Sequence, residues 1–181
     1  MGKIQLFAVL FIIFQLTLAA DLKCSVWMKG MNTMHKCCKL PLPIDEKIFE
    51  TASKLNMSHC EKQEKVAEML NLKNADKAAY KNHLTKVITD SDWKPILVKN
   101  SDFCVDLAPK LVAPFAKKVN ITEEGCGAKF MLTFNCWMAT AYSECPEKFY
   151  TDSSECKELT KTIKECKENT ADIIKAFEAP Q

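Results

Sequence analysis

Apolar side chains recur at helical spacing along most of the chain. Tyr80, Leu84, Val87 and Ile88, for example, follow one another at the spacing of one face of an α-helix. Four further stripes share this period: Ile44, Ile48, Phe49, Ala52 and Leu55; Val66, Met69 and Leu70; Leu107, Leu111, Phe115 and Val119; and Leu159, Ile163, Cys166, Thr170, Ile173, Ile174 and Phe177. Glycine occurs only four times, too rarely for a β domain with many tight turns. The pattern predicts an all-α fold, a single globule of about six or more helices.

Residues 128–142 form an exception, because this segment is apolar on nearly every side of a helix. Such a helix is typically buried in the core. Pro146 should stop it, since the residue before a proline avoids the helical region. At about 100° per residue, Cys136 and Cys145 would lie on opposite sides of this helix. They cannot pair with each other in a continuous helix, so each must reach a different element.

Polar residues and prolines indicate where other helices begin and end. Asn74 or Asp76 is placed to cap the helix that carries Tyr80, Leu84, Val87 and Ile88. Pro109 and Pro114 interrupt the stripe that begins at Leu107. Pro109 fits a first helical turn, whereas Pro114 is predicted to kink or end the helix.

The N-terminus predicts secretion. Lys3 precedes an apolar run over 4–18, small residues follow, and Asp21 opens the polar chain. This is the composition of a signal peptide, and the run is shorter than the roughly 20 residues of a membrane anchor. We therefore expect a signal peptide over 1–20, one helical domain over 21–181, and an extracellular protein without membrane insertion.

Ten cysteines, none of them in the first 20 residues, indicate a disulfide framework. An even, dense set of thiols in a secreted chain is typical of bridges that join elements to each other. The expected disulfide residues are Cys24, Cys37, Cys38, Cys60, Cys104, Cys126, Cys136, Cys145, Cys156 and Cys166.

The charge pattern argues against nucleic acid as a partner. The 25 basic residues are all lysine, and 23 acidic residues are interleaved with them, which leaves a formal net charge of +2. Nucleic-acid recognition relies on basic patches and on bidentate arginine. A solvated surface is the simpler interpretation.

The histidines do not indicate an enzyme. His35, His59 and His83 lie in neither a nucleophile-elbow motif nor a zinc-protease motif. His35 is close to Cys37 and Cys38, but disulfides account for these cysteines better than metal ligation does in an oxidising compartment. We predict no catalytic residues, no cofactor and no metal, and we expect surface histidines rather than a pH switch for ligand release.

The cysteine spacing is specific enough to suggest a family. The run Cys126-x9-Cys136-x8-Cys145-Pro146-x9-Cys156-x9-Cys166 resembles the C-terminal half of insect odorant-binding proteins (PBP/GOBP-like) of the Plus-C group. The segment Cys37-Cys38-Lys39-Leu40-Pro41 resembles the double cysteine and nearby proline of that group, and Asp92-Trp93 upstream of Cys104 also matches its pattern. Together these motifs extend over most of the mature chain.

The resemblance implies part of the disulfide pairing. The family has a Cys-x3-Cys pair after the double cysteine, where this chain has Cys60 alone. By spacing, the missing cysteine corresponds to Asn56 or Glu64, and the resemblance of the following Lys65–Leu72 favours Glu64. Although one family cysteine is missing, the resemblance implies two of the bonds, Cys60–Cys136 and Cys126–Cys145. It leaves the other six cysteines unassigned: Cys24, Cys37, Cys38, Cys104, Cys156 and Cys166.

The resemblance also implies a function in olfaction and transport. Proteins of this family are secreted carriers that reversibly bind small hydrophobic molecules, such as odorants and pheromones, in an internal apolar cavity; a membrane receptor is a further candidate partner. The aromatic and thioether side chains of 128–142 would suit a cavity wall, although such a helix is also typical of plain core. The expected lining residues are Leu111, Phe115, Phe130, Met131, Phe134, Trp137, Met138 and Tyr142.

A second hypothesis is a secreted, disulfide-rich interaction protein of salivary, venom or defence type that acts through its surface. An exposed apolar groove and a stable partner would favour that function, whereas a closed internal cavity would favour the carrier. In either case the sequons at Asn56 and Asn120 are candidate glycosylation sites. Asn120 is the better candidate because it is predicted to lie in a loop before the buried helix.

Overall fold

The computed structural model describes residues 24–29, 31–121 and 127–179. The predicted signal peptide lies outside the described residues, as do Cys126 and the sequon residue Thr122. The side chains of Phe49 and His59 are likewise outside the described set.

The described residues form helices joined by short connections. In chain order these are α1 (Val26–Lys29), α2 (Met31–Cys37), α3 (Glu46–Ser53), α4 (His59–Met69), α5 (Lys77–Val87), α6 (Trp93–Val119), α7 (Ala128–Ser143), a 3-10 turn (Glu147–Phe149), α8 (Ser154–Glu168) and α9 (Thr170–Glu178). Within this part of the chain the extended pairing is an isolated bridge between Cys38 and Tyr150. The all-α, disulfide-rich fold predicted from the sequence is confirmed.

Side-chain caps fix several helix starts. Asp76, one of the two predicted candidates, caps α5 by accepting a hydrogen bond from the backbone N–H of Ala79 at 2.8 Å. Ser58 and Glu61 form a reciprocal capping box at the start of α4. Ser153 caps α8 through the N–H of Cys156 at 3.1 Å.

Helix α6 continues through both of its prolines, contrary to the prediction that Pro114 would kink or end it. The helix ends at Val119, where Asn120 adopts the left-handed conformation with φ 54°. Pro109 is also well inside the helix instead of in its first turn. Each proline removes one backbone donor, but α6 packs against α5, α7 and α9 along its length. This packing holds the helix together across the two missing hydrogen bonds.

The last apolar stripe is divided between two helices instead of forming one long helix. Asn169, with φ −121° and ψ 79°, separates α8 from α9. Burial nevertheless continues across the break, because Ile163 and Cys166 on α8 and Ile173 on α9 are all within the core.

Helix α7 is the centre of the protein. Thirteen of its sixteen residues are buried, and it contacts α1, α2, α4, α6 and α8. Its main neighbour is α6, which runs antiparallel to it: Asn100 near the start of α6 bonds Glu144 at the end of α7. The prediction of a helix buried on most sides is confirmed.

Among the described residues, two disulfides reach α7 or its end, and two others join the N-terminal segment and α2 to α8. They join Cys24 to Cys166, Cys37 to Cys156, Cys38 to Cys145, and Cys104 to Cys136. Cys60 is also disulfide-bonded, to a partner outside the described residues. The adjacent cysteines at the end of α2 therefore bond two different elements, one on α8 and one just after α7.

Both disulfide pairings implied by the resemblance, Cys60–Cys136 and Cys126–Cys145, are wrong. Cys136 bonds Cys104 because α6, not α4, lies along that side of α7, with the two Cα atoms 5.5 Å apart. Cys145 bonds Cys38 because the end of α2 packs beside the end of α7. The expectation that Cys136 and Cys145 reach different elements is confirmed.

Candidate functional site

The residues predicted to line a ligand site are on α6 and α7 and are largely buried. Leu111 of α6 and five residues of α7 are buried, whereas Phe115 and Met131 are half-buried. The five are Phe130, Phe134, Trp137, Met138 and Tyr142. Burial alone suits a core as well as a ligand site, so the arrangement of these side chains is what matters.

The predicted residues lie on two sides of α7. Successive residues of a helix are about 100° apart, so Phe134 and Met138, each two residues from Cys136, point about 160° away from it. Leu111 and Phe115 share the face of α6 that forms the disulfide to Cys136. They approach α7 from the opposite side to Phe134 and Met138, and the backbone of α7 separates the two groups.

One side of α7 does concentrate aromatic and thioether groups, and we call it the aromatic face: Phe130, Phe134, Trp137 and Met138. The rings of Phe130 and Phe134 are 6.4 Å apart. Trp137 meets the ring of Tyr80 edge-to-face, with centroids 5.4 Å apart and planes at 78°. Tyr80 comes from α5 and is not among the predicted lining residues. Its place on the apolar stripe with Leu84, Val87 and Ile88 is the sequence signal that could have suggested it.

Most polar side chains around the aromatic face have a hydrogen-bond partner among the described residues, but one does not. The hydroxyl of Tyr80 donates to the carbonyl of Leu72 at 3.0 Å, and burial raises the pKa of Tyr80. Thr133 and Thr140 donate to backbone carbonyls of their own helix. The indole Nε1 of Trp137, in contrast, is buried without a hydrogen-bond partner among the residues that the structure describes. The aromatic face therefore contains one unused donor.

Tyr142 belongs to a different environment from the rest of the predicted set. Its hydroxyl donates to the carbonyl of Cys156 at 3.3 Å, and its ring borders an open groove of about 590 Å³ along α8. This α8 groove is lined by Tyr142, Ser143, Glu144, Cys145, Tyr150, Lys157, Thr160, Lys161, Lys164, Glu165 and Glu168. This groove could not be predicted from the sequence, because its rim is polar and comes from separate segments of the chain.

A second groove, of about 670 Å³, lies where α4 and α6 approach the start of α7. It is lined by Glu64, Lys73, Asn74, Pro109, Val112, Gly127, Ala128 and Lys129. Gly127 has φ +56°, and a Cβ there would be 3.3 Å from the backbone of Glu64. A glycine is therefore needed where the start of α7 approaches α4.

A charged network joins α6, α7 and α8 at the rim of the α8 groove. Glu144 accepts hydrogen bonds from Lys167 at 2.9 Å, from Lys99 at 3.1 Å and from Asn100 at 3.1 Å. Lys167 also donates to Asn100 at 2.6 Å. Burial of Glu144 favours its neutral form, but the bonds from Lys167, Asn100 and Lys99 outweigh burial and hold the pKa of Glu144 below its ordinary value.

We expect this network to make stability depend on pH. The folded-state pKa of Glu144 is lowered, so its contribution is present above the unfolded-state value near 4.5 and is lost as the pH falls through the folded value. Glu144→Gln should lower the free energy of unfolding by about 2 kcal/mol at neutral pH, and the difference from wild type should disappear in acid. Urea titrations from pH 7 to 3 would measure it, with Glu158→Gln on the exposed side of α8 as control. An unchanged difference at pH 3 would contradict this role.

The histidines show no common arrangement in the described part of the chain. His35 is exposed, whereas Nε2 of His83 lies 2.8 Å from the carbonyl oxygen of Pro43. Burial lowers the pKa of His83. Among the described residues there is no group of three or more His, Cys, Asp or Glu side chains that could hold a metal ion.

The asparagines of the two sequons are on the surface. Asn56 lies in the connection between α3 and α4, and Asn120 ends α6; both are exposed. Within the same described residues, every helix is too short or too polar to cross a bilayer.

Comparison of the chain with protein-family models, curated proteins and solved structures finds no match. The resemblance to Plus-C odorant-binding proteins therefore stays a prediction from the cysteine spacing.

Proposed function

We propose that the protein is a secreted carrier that binds small hydrophobic molecules reversibly and performs no chemistry on them. The observation that supports this most is the aromatic face of α7. It places Phe130, Phe134, Trp137 and Met138 together in the interior, and it meets Tyr80 of α5 through ring contact.

The chemistry of this face suits a site for varied apolar ligands. Such sites are lined mainly by aromatic and aliphatic side chains, with a few polar groups that orient the ligand. Methionine adapts to ligands of different shape because its side chain is flexible and its sulfur polarizable. Disulfides around α7 would keep the surrounding helices in place while side chains at the face rearrange. A membrane receptor that receives the cargo belongs to the same proposal.

The test is displacement of N-phenyl-1-naphthylamine, a fluorescent hydrophobic probe, from oxidised protein covering 21–181. We expect saturable binding of one probe per chain and displacement by some volatiles or fatty acids but not by others. Met138→Ala should weaken probe binding, because Met138 is fully buried on the aromatic face. Met69→Ala is the matched control, since Met69 is 36% exposed.

Folding must be checked separately in this experiment. Circular dichroism and a thiol count establish that each variant is helical and fully oxidised, and Met138→Leu provides a variant of similar volume should the alanine variant unfold. Absence of saturable binding in folded, oxidised wild type would contradict the carrier function.

A surface-acting interaction protein is the second candidate, and the α8 groove favours it. This groove is open, and Lys161 and Lys164 on its rim are exposed. If this function is correct, charge reversal at Lys161 and Lys164 should abolish capture of a partner from the extracellular fluid of the source tissue and leave probe binding unchanged. Capture that survives the double reversal would contradict this assignment.

A further inference from the structure

Trp137 presents a polar atom that its surroundings leave unused. The side chain is 0% exposed, and its Nε1 has no hydrogen-bond partner among the described residues. A buried N–H without a partner costs free energy, because it has lost its hydrogen bonds to water. Such a group in a natural protein calls for an explanation.

The neighbours of Trp137 do not supply an acceptor. Tyr80, whose ring is in contact with it, donates its hydroxyl to the carbonyl of Leu72, and the hydroxyl oxygen does not accept from Nε1 of Trp137. The backbone carbonyl of Trp137 itself accepts from Thr140 at 3.1 Å, and Thr133 is bonded to Lys129. The other side chains of the aromatic face, Phe130, Phe134 and Met138, provide no strong acceptor.

The surroundings also favour a neutral acceptor over a charged one. Lys129 is the one charged residue within α7, and it lies two turns, about 12 Å, from Trp137 along the helix. An unpaired carboxylate buried beside Trp137 would lose its hydration without gaining a counter-ion. A carbonyl, ester or hydroxyl oxygen would satisfy the indole N–H at much lower cost.

We propose that the indole N–H of Trp137 donates a hydrogen bond to an uncharged oxygen of the bound molecule. The preferred ligands are then apolar ketones, aldehydes, esters or alcohols, and hydrocarbons of the same shape bind less well. This inference rests on the proposed carrier function and specifies its ligand class.

Trp27 provides a matched control. It is also buried, and its Nε1 also lacks a partner among the described residues. It belongs to α1, its ring neighbour is Phe103 of α6 at 6.3 Å, and neither residue is one of the four that form the aromatic face. Trp27→Phe and Trp137→Phe therefore remove the same group from two sites, only one of which should contact the ligand.

The experiment compares 2-undecanone with 2-methylundecane, in which a branching methyl group replaces the carbonyl oxygen. Each compound competes with N-phenyl-1-naphthylamine for the oxidised wild type, Trp137→Phe and Trp27→Phe. The ratio of the alkane Kd to the ketone Kd should fall about tenfold in Trp137→Phe relative to wild type. In Trp27→Phe the ratio should stay at the wild-type value.

The ratio separates this inference from the proposed function. If both compounds compete but the ratio is the same in wild type and Trp137→Phe, the ligand class is wrong while the carrier function stands. If neither compound nor any other apolar competitor displaces the probe, the carrier function fails, and the inference fails with it.

A second measurement, by NMR, uses the wild-type protein alone and does not depend on the folding of any variant. In protein labelled with 15N at tryptophan, the indole resonance of Trp137 should move downfield with 2-undecanone and much less with 2-methylundecane. The chain has three tryptophans, and the resonances of Trp27 and Trp93 serve as internal references. Equal shifts with both compounds would overturn the proposed hydrogen bond.

Discussion

Oxidised protein in which Cys104 and Cys136 are both replaced by alanine should lose about 4 kcal/mol of unfolding free energy. The bond closes a segment with a sequence separation of 32, and it joins the two helices with the most extensive contact, α6 and α7. Both cysteines are buried, so their removal also leaves unfilled space in the core. Guanidinium unfolding under oxidising conditions would measure the loss.

The Cys24–Cys166 bond is the informative comparison. Its sequence separation, 142, is far larger. In the unfolded chain, however, the Cys37–Cys156 bond already holds the segments that carry Cys24 and Cys166 near each other. Only the short segments between the two bonds remain to be constrained, so removal of Cys24–Cys166 should cost no more than removal of Cys104–Cys136. A much larger loss would show that the bonds do not act as a nested set.

Proteolytic mapping of the wild type tests the pairing directly. The peptide with Cys104 should be recovered linked to the peptide with Cys136. A peptide linking Cys60 to Cys136, as the family resemblance implies, would contradict the structure and remove the reason for the stability difference.

The cysteines also show how far sequence reasoning extends. The position of a cysteine on a helix determines the direction in which its bond leaves, which is why a continuous helix through Cys136 and Cys145 predicts different partners for them. Their partners do differ, but α7 ends at Ser143 and Cys145 follows it. It does not determine which helix lies in that direction. That depends on how α6 and α2 pack around α7, which is a tertiary property that the spacing of apolar residues does not contain.

Some helix ends could likewise be predicted from the sequence, whereas others depend on how the helices pack. The cap at Asp76 was among the predicted candidates because capping is a local interaction between a side chain and a nearby backbone N–H. The continuation of α6 through Pro109 and Pro114 was not predicted, because the compensation comes from neighbouring helices. Likewise, the break at Asn169 follows from backbone conformation at one residue and leaves the apolar period almost unchanged.

For the candidate site, the sequence predicted that α7 is buried, but it did not predict which neighbouring helix packs against which side of α7. A helix that is apolar all round shows no preferred face, so Leu111 and Phe115 were grouped with Phe134 and Met138. The disulfide between Cys104 and Cys136 shows which side of α7 faces α6, because it fixes α6 on that side. The contribution of Tyr80 could not be deduced without the position of α5.

Phe134→Ala is expected to lower the free energy of unfolding by about 3–5 kcal/mol, because it removes a buried ring in contact with Phe130. Val119→Ala is the control: Val119 is 47% exposed at the end of α6 and should change stability by less than about 0.5 kcal/mol. Thermal and chemical unfolding of the oxidised variants would measure both effects.

The response of Phe134→Ala to ligand distinguishes a binding site from plain core. A ligand that binds only the folded wild type raises its stability by about 2.7 kcal/mol at a concentration of 100 times its Kd. If Phe134 contacts the ligand, this stabilisation should shrink in Phe134→Ala at the same ligand concentration and stay intact in Val119→Ala. If both variants gain as much as wild type, the aromatic face is core alone and the ligand binds elsewhere.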